Sequence, residues 1–393
     1  MSRPLAIEEA RERVLAEARP LAAEDVPVER ALGRVLAAEV VADMQVPPFD
    51  SSAMDGFAVV AGPEADLPVV GESRAGHPFG ARLEPGSAVR ISTGAVVPEG
   101  ADAVVPVERT EDAGDRVRVP ETRQGANIRY AGEDVRPGDV VLRSGTPLGP
   151  AELGVAASLG HAVLACANRP RVALVVTGDE LARPGEPLEP GGIYSSNGYA
   201  LAAQVERAGA ALTGVESAPD TADGTRAALA GALGEADVVC VSGGVSVGPH
   251  DHVRTTMAEL GVEERFWGVR LRPGKPTWFG VRDGTLAFGL PGNPVSAMVT
   301  FQLFVRPALA ALQGADPAAR RVGAVLAEEV RRNPGREQAV RVRLGGDGEL
   351  RATPTGPQGS HQLTSMLGAD GLALIPAGEG ALTAGDTVEV ELL

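Results

Sequence analysis

RVALVVTG (residues 171–178) and ADVVCVSGG (residues 236–244) decide the fold of this chain. Each is a short run rich in β-branched residues and closed by glycine, the pattern of a strand buried on both faces. Between them lie NGYALAAQVERAGA (197–210) and TADGTRAALAGALGEA (221–236), both with helical spacing, separated by the strand-like ALTGVES (211–217). Ser196 or Asn197 would cap the first of these helices. PHDHVRTTMAELG (249–261) reads as a helix beginning with Pro249 near its first turn. TWFGVRDGTLAFGLPG (277–292) reads as a hairpin about Asp283-Gly284. PVSAMVTFQLFVRPALAAL (294–312) reads as one long helix. Strands alternating with helices in this way predict an open, mainly parallel α/β sheet.

Upstream, LAIEEARERVLAEA (5–18) has the spacing and composition of a helix, and VERALGRVLAAEV (28–40) is a second amphipathic piece. From Val46 to Thr146 the texture changes to short β runs such as GFAVVAG, SAVRIST and ADAVVPVE, broken by Gly and Pro. LGPAELGVAASLG (148–160) is a helix and HAVLACA (161–167) a strand. After Asp316-Pro317 the chain returns to β texture, predicting a small C-terminal β-domain. A chain of 393 residues exceeds one ordinary core, so two to four domains are expected.

The net charge of −16 argues against nucleic acid as the main partner. Any anionic ligand needs a local basic pocket, and Lys275 is the single lysine among 36 basic residues. Cys166 and Cys240 sit in apolar runs and form no CxxC pair, which predicts reduced, core-packed thiols and a cytoplasmic protein. Charge is spread through the first 18 residues, so no signal segment is expected. PGNP interrupts the longest uncharged stretch, Gly284 to Val305, so no membrane segment is expected either.

Open α/β sheets place ligands at the carboxyl ends of their strands. One such loop, VVTGDEL (175–181), delivers Asp179 and Glu180. A second, VSGGVSVGPHD (241–251), offers Gly243, Gly244, Ser246 and Gly248 before a helix start, and ends in Asp251. A third pairs VRLRPGKP (269–276), with Arg270, Arg272 and Lys275, and LPGNP (290–294), with Gly292 and Asn293. Singly each has a bland reading: a tight turn, a helix-entry acid, a first-turn charge. Together, glycine turns, cations and separated carboxylates suit a phosphate with a hard metal ion. PPFDSSAMDGFAV (47–59) adds a compact polar run that could equally be an Asx-type turn into a strand.

PPFDSSAMDGFAV, STGAVVPEGADAVV, TGDEL, SGGVSVGPHD, RPGKP and LPGNPVSA together resemble, over essentially the whole chain, the molybdopterin molybdenumtransferase family of the MoeA type, related to the gephyrin E domain. The resemblance implies a multidomain α/β plus β fold. Residues 1–19 with 169–317 would form the α/β molybdopterin-binding domain, and 20–41 with 138–168 a small connecting domain. Residues 42–137 would form a β-rich domain, and 318–393 a C-terminal β-barrel-like domain. It also implies a homodimer with a shared active site, insertion of molybdenum from molybdate into adenylylated molybdopterin, release of AMP, and a molybdopterin adenylyltransferase as partner. By motif position it implies catalytic roles for Asp55, Thr93, Glu180, Asp251 and Lys275. Mg²⁺ would be held by Asp55, Glu180 and Asp251. Substrate contacts would come from Gly243, Gly244, Ser246, Gly248, Arg272, Pro291, Gly292, Asn293, Pro294, Asp134 and Ser360, with His361 beside the last.

Phe57 stands where the family often has Tyr, Arg272 where Lys is common, and Pro249-His250 at variable places. His250, Asp251 and His252 lack the further ligand that a zinc site needs. A gephyrin-like scaffold with reduced catalysis is the alternative, and a tungstate preference would leave the same sequence.

Overall fold

The computed structural model describes residues 3–245 and 252–393. The expected sheet is six-stranded, in the order Ala211–Ala218, Arg171–Thr177, Val238–Ser242, Thr285–Leu290, Trp278–Arg282, Glu263–Trp267. The first four strands are parallel, Trp278–Arg282 runs antiparallel to them, and Glu263–Trp267 pairs antiparallel with it in turn. Alternate residues of the two founding strands face two separate cores. Val172 and Leu174 pack with Leu201 and Val205 on one side, while Ala173 and Val175 pack with Leu229 and Met257 on the other. The hairpin turns at Asp283 (φ 50) and Gly284 (φ 89), the two left-handed residues of a tight primed turn.

The N-terminal helix Ile7–Glu17 buries Ile7, Ala10 and Val14 on the first face of this sheet. Pro294–Leu312 is helical throughout but is not one regular helix: Phe301–Val305 is a π-turn between two α segments. The cause is Pro307, which has no N–H for the carbonyl of Leu303. Arg11 Nε donates to that carbonyl instead, at 3.1 Å. This run is apolar enough to cross a membrane by composition, yet it lies in the core.

The amphipathic reading of VERALGRVLAAEV fails as a helix. Only Val28–Arg30 makes a 3-10 turn, Gly33 bends the chain at φ 71, and Val40–Val41 pairs with Val140–Leu142. Its apolar positions are used by tertiary pairing, with Leu36 and Val40 packed against Leu164 and Ala156. Ala23–Pro27 runs antiparallel to Val163–Ala167 beside the same core. The stretch from Gly56 to Val119 forms its own six-stranded sheet. The helix expected from Pro249 is present from Val253 to Glu259, and its forecast start lies outside the described residues.

In the C-terminal region Glu337–Gly345, Arg351–Pro354, Arg321–Leu326, Thr387–Leu392 and Gly371–Ile375 pair in turn. The last returns to the first, closing a five-stranded barrel. Leu271–Arg272, which belongs to the α/β region, adds to this barrel beside Glu337 and Gln338. That graft fixes the barrel against the carboxyl ends of the parallel strands.

Candidate active site

The parallel strands Arg171–Thr177 and Val238–Ser242 end at a cleft of about 700 Å³. Thr177, Gly178, Glu180, Ser242 to Val245 and Pro291 to Pro294 line it, so three expected loops meet here. Gly243 is required sterically: its φ is 98°, and a Cβ would come within 2.6 Å of Thr177 Oγ1. Its N–H donates to the Leu290 carbonyl at 3.1 Å, so this glycine shapes the turn rather than offering a donor to a ligand.

The helix begins at Asn197 with Ser196 at the N-cap position, as expected, but no side-chain hydrogen bond caps it, and Asn197 serves elsewhere. Its Nδ2 instead donates to Ser242 Oγ at 2.8 Å and to the Gly292 carbonyl at 2.7 Å, tying three loops together. Asp220 also lines the cleft and was missed by sequence reasoning. It follows the carboxyl end of Ala211–Ala218, so the strand-end rule applied to that third parallel strand would have found it. Asp220 N–H donates to Asp179 Oδ1 at 3.0 Å, holding the two acidic loops side by side.

The barrel contributes His361 to the lip of the cleft. Ser360 is held by its carbonyl, which accepts the Val295 N–H at 3.1 Å near the start of the helix after LPGNP. Arg272 opens onto a different cavity of about 330 Å³, at the graft between the α/β region and the barrel, together with Arg331, Gln338 and Arg341 and the carboxylates Glu328 and Glu329. Arg341 is 1% exposed. Among the described residues its guanidinium partners are neutral: Ser365 Oγ at 3.0 and 3.1 Å and the carbonyls of Ala339 and Gly359. Burial pulls its pKa down to about 10, so at neutral pH it remains a cation. Its stretch, QAVRVRLG (338–345), reads from the sequence only as part of the C-terminal β texture. Pro276 lines the cleft and Arg272 the second cavity, so the RPGKP turn, with exposed Lys275, runs between the two.

Asp55 is exposed on the β-rich region and accepts the Thr93 N–H at 2.8 Å, which brings two predicted residues together. The rest of the SAMDG run has structural causes. Ser52 is buried and donates to the Met54 carbonyl at 2.6 Å, and a Cβ at Gly56 would lie 1.9 Å from the Val105 carbonyl oxygen. Phe57 is fully buried with the Arg90 guanidinium 4.7 Å over its ring. Asp134 lies in a loop pinned to the PPFD segment through its N–H to the Val46 carbonyl. Among the described residues, none that lines the cleft comes from this β-rich region. Ser246, Gly248, His250 and Asp251 lie outside the described residues.

Glu180 and Asp220 offer carboxylate oxygens, donors suited to a hard cation. Among the described residues no group of three His, Cys, Asp or Glu is placed to hold a metal. The described residues therefore supply the right kind of donor for Mg²⁺ but not a complete set.

Family models match most of the chain. One for the MoeA N-terminal region (domains I and II) covers residues 5–160, and one described as a probable molybdopterin binding domain covers 173–311. One for the MoeA C-terminal region (domain IV) covers 323–393. Molybdopterin molybdenumtransferase 2 of Mycobacterium tuberculosis is 40% identical over 400 residues, covering 96% of this chain and 97% of its own. Molybdopterin molybdenumtransferase of Haemophilus influenzae is 35% identical over 399 residues, covering 98% of each. The crystal structure of a molybdopterin biosynthesis MoeA protein from Pyrococcus horikoshii superposes with a TM-score of 0.84 at 30% identity, covering 100% of both chains.

Proposed function

The chain belongs to the MoeA family of molybdopterin molybdenumtransferases, transferases of molybdenum cofactor biosynthesis, and from that premise we propose its reaction in full. It inserts molybdenum from molybdate into adenylylated molybdopterin and releases AMP and the finished cofactor. The observation that carries this reading is the pair of pockets on either side of RPGKP. The strand-end cleft has the size and the mixed polar lining for a phosphorylated pterin nucleotide. The cavity lined by Arg272, Arg331 and Arg341, partly offset by Glu328 and Glu329, would present a small excess of positive charge to a tetraoxoanion. Lys275, on the turn between them, would stabilise charge that builds up as the phosphoanhydride opens.

The proposal includes a homodimer. Asp55 and Thr93 stand exposed on a region that gives its own chain's cleft nothing, which suits a site completed by a second copy. Glu180, Asp251 and Asp55 of the partner subunit would hold Mg²⁺, whose chemistry is to neutralise phosphoanhydride oxygens. Asp134 would support the Asp55 face. The substrate would come from a molybdopterin adenylyltransferase in the cytoplasm. The same reading divides the chain into 1–19 with 169–317, 20–41 with 138–168, 42–137 and 318–393, supported by an apolar core centred in each region, although the α/β core also takes in Ala339 and Leu372 of the last. The transferase name of the relatives favours catalysis over a gephyrin-like scaffold.

AMP release from adenylylated molybdopterin, with and without molybdate and Mg²⁺, tests the reaction. Release that requires both supports it. Release indifferent to molybdate from folded protein overturns it.

A further inference from the structure

We propose that Tyr194 is the stacking platform that selects a planar heterocycle, a phosphate-bearing adenine or pterin ring, in the strand-end cleft. The inference rests on the nucleotide-like substrate proposed above and adds to it the residue that recognises the ring.

Aromatic residues are 3% of this chain, and only three are tyrosines. Tyr194 is the one tyrosine that lines the cleft. It is 46% exposed, and its neighbour Ile193, also lining the cleft, is 54% exposed. An apolar pair left in water at the mouth of a polar cleft is not explained by core packing. The ring is also held before anything binds. Its hydroxyl donates to the Glu186 carbonyl at 3.0 Å. The backbone on either side is clamped, with Ile193 N–H to the Glu180 carbonyl at 2.8 Å and Ser195 N–H to the Ala182 carbonyl at 2.9 Å. A ring fixed at its tip and at its root loses little freedom when a second ring lies on its face. Glu180 and Asn197, which bracket this pair in sequence, line the same cleft, so a stacked ring would have polar groups at its edge.

The probes are AMP, a pterin phosphate and ribose 5-phosphate, with binding followed by calorimetry in the full-length protein. Replacing a stacking aromatic by alanine typically weakens base binding by about 5- to 100-fold. Tyr194→Ala should therefore weaken at least one ring-bearing probe by roughly tenfold and leave ribose 5-phosphate unchanged, at an unaltered melting temperature. Whichever of AMP and the pterin phosphate loses affinity identifies the ring. Tyr194→Phe, which keeps the π face but loses the hydroxyl bond at its tip, should bind between wild type and Tyr194→Ala, whereas Tyr194→Leu, which keeps bulk alone, should behave like Tyr194→Ala. Wild-type affinity of Tyr194→Ala for both ring-bearing probes overturns the inference. So does equal loss for ribose 5-phosphate, which would mark a purely structural role. A wild-type protein that binds neither ring-bearing probe overturns the underlying substrate reading, a different result from binding that ignores Tyr194.

Discussion

Lys275 and Arg341 present positive charge in opposite ways, and their substitutions should fail in opposite ways. Lys275 is exposed on a turn whose shape is set by backbone bonds, including Val269 N–H to its own carbonyl at 3.0 Å. Removing its side chain leaves that turn intact. Lys275→Ala should lower kcat about 100-fold, the typical loss of one positioned transition-state donor, while the melting temperature scarcely moves. A melting-temperature loss that accounts for the missing activity would make the residue structural. Arg341 is buried and hydrogen-bonded to neutral acceptors, with Glu328 and Glu329 lining the same cavity, so an added anion there would offset the cost of its charge further. Arg341→Met should raise KM for molybdate about tenfold or more, with Arg341→Lys keeping part of the affinity. An unchanged KM with lowered urea resistance would mean that the guanidinium serves only the barrel.

At the scale of elements, the N-terminal helix acts as a clasp between the α/β core and the barrel. Arg11 reaches the Leu303 carbonyl left free by Pro307, and Glu391 of the last barrel strand at 2.9 Å. Glu391 is 0% exposed, and its Oε1 has no partner among the described residues. Arg11→Ala therefore leaves the buried Glu391 carboxylate with only the more distant Arg321 guanidinium, 3.8 Å away, removes the side-chain donor to the Leu303 carbonyl, and should cost about 3 kcal/mol in urea unfolding. Glu8 of the same helix meets Arg11 and Arg321. Burial raises its pKa, but bonding and attraction to Arg321 and Arg11 outweigh this and hold it below the ordinary 4.5. A depressed carboxylate contributes stability above its unfolded value and loses it as pH falls through the folded value. Glu8→Gln should accordingly flatten the acid limb of the melting curve measured from about pH 7 to about pH 3. An unchanged limb would show that the Glu8 contacts carry no stability.

At the scale of the molecule, Asp55 and Glu180 belong to surfaces that one chain does not bring into one cleft. The dimer proposed above predicts complementation. Asp55→Ala and Glu180→Ala proteins should each be inactive. A mixed dimer would hold one doubly defective site and one intact site, and its activity should return towards about half of wild type if the sites are independent. Exchange verified by mass, without any recovery, would place both residues in a site of a single chain.

Local chemistry in the sequence determined the elements whose signal is local. The buried strands around Leu174 and Val239, the turn at Asp283-Gly284 and the helix Ile7–Glu17 follow from periodicity and backbone preference, which neighbours in sequence suffice to express. The motifs around Asp55, Glu180 and Lys275 stood out instead by residue type and by their resemblance to a family's motifs. Tertiary structure alone decided the rest. VERALGRVLAAEV has a helical period, yet pairing with Val140–Leu142 and packing on Leu164 override it. Asp220 enters the site only because a third strand lies parallel beside Arg171–Thr177. Arg341 becomes a buried cation only when the barrel closes and the strand Leu271–Arg272 is grafted onto it. A cavity is a relation among side chains far apart in sequence, and its charge and dryness exist only once packing has excluded water around them.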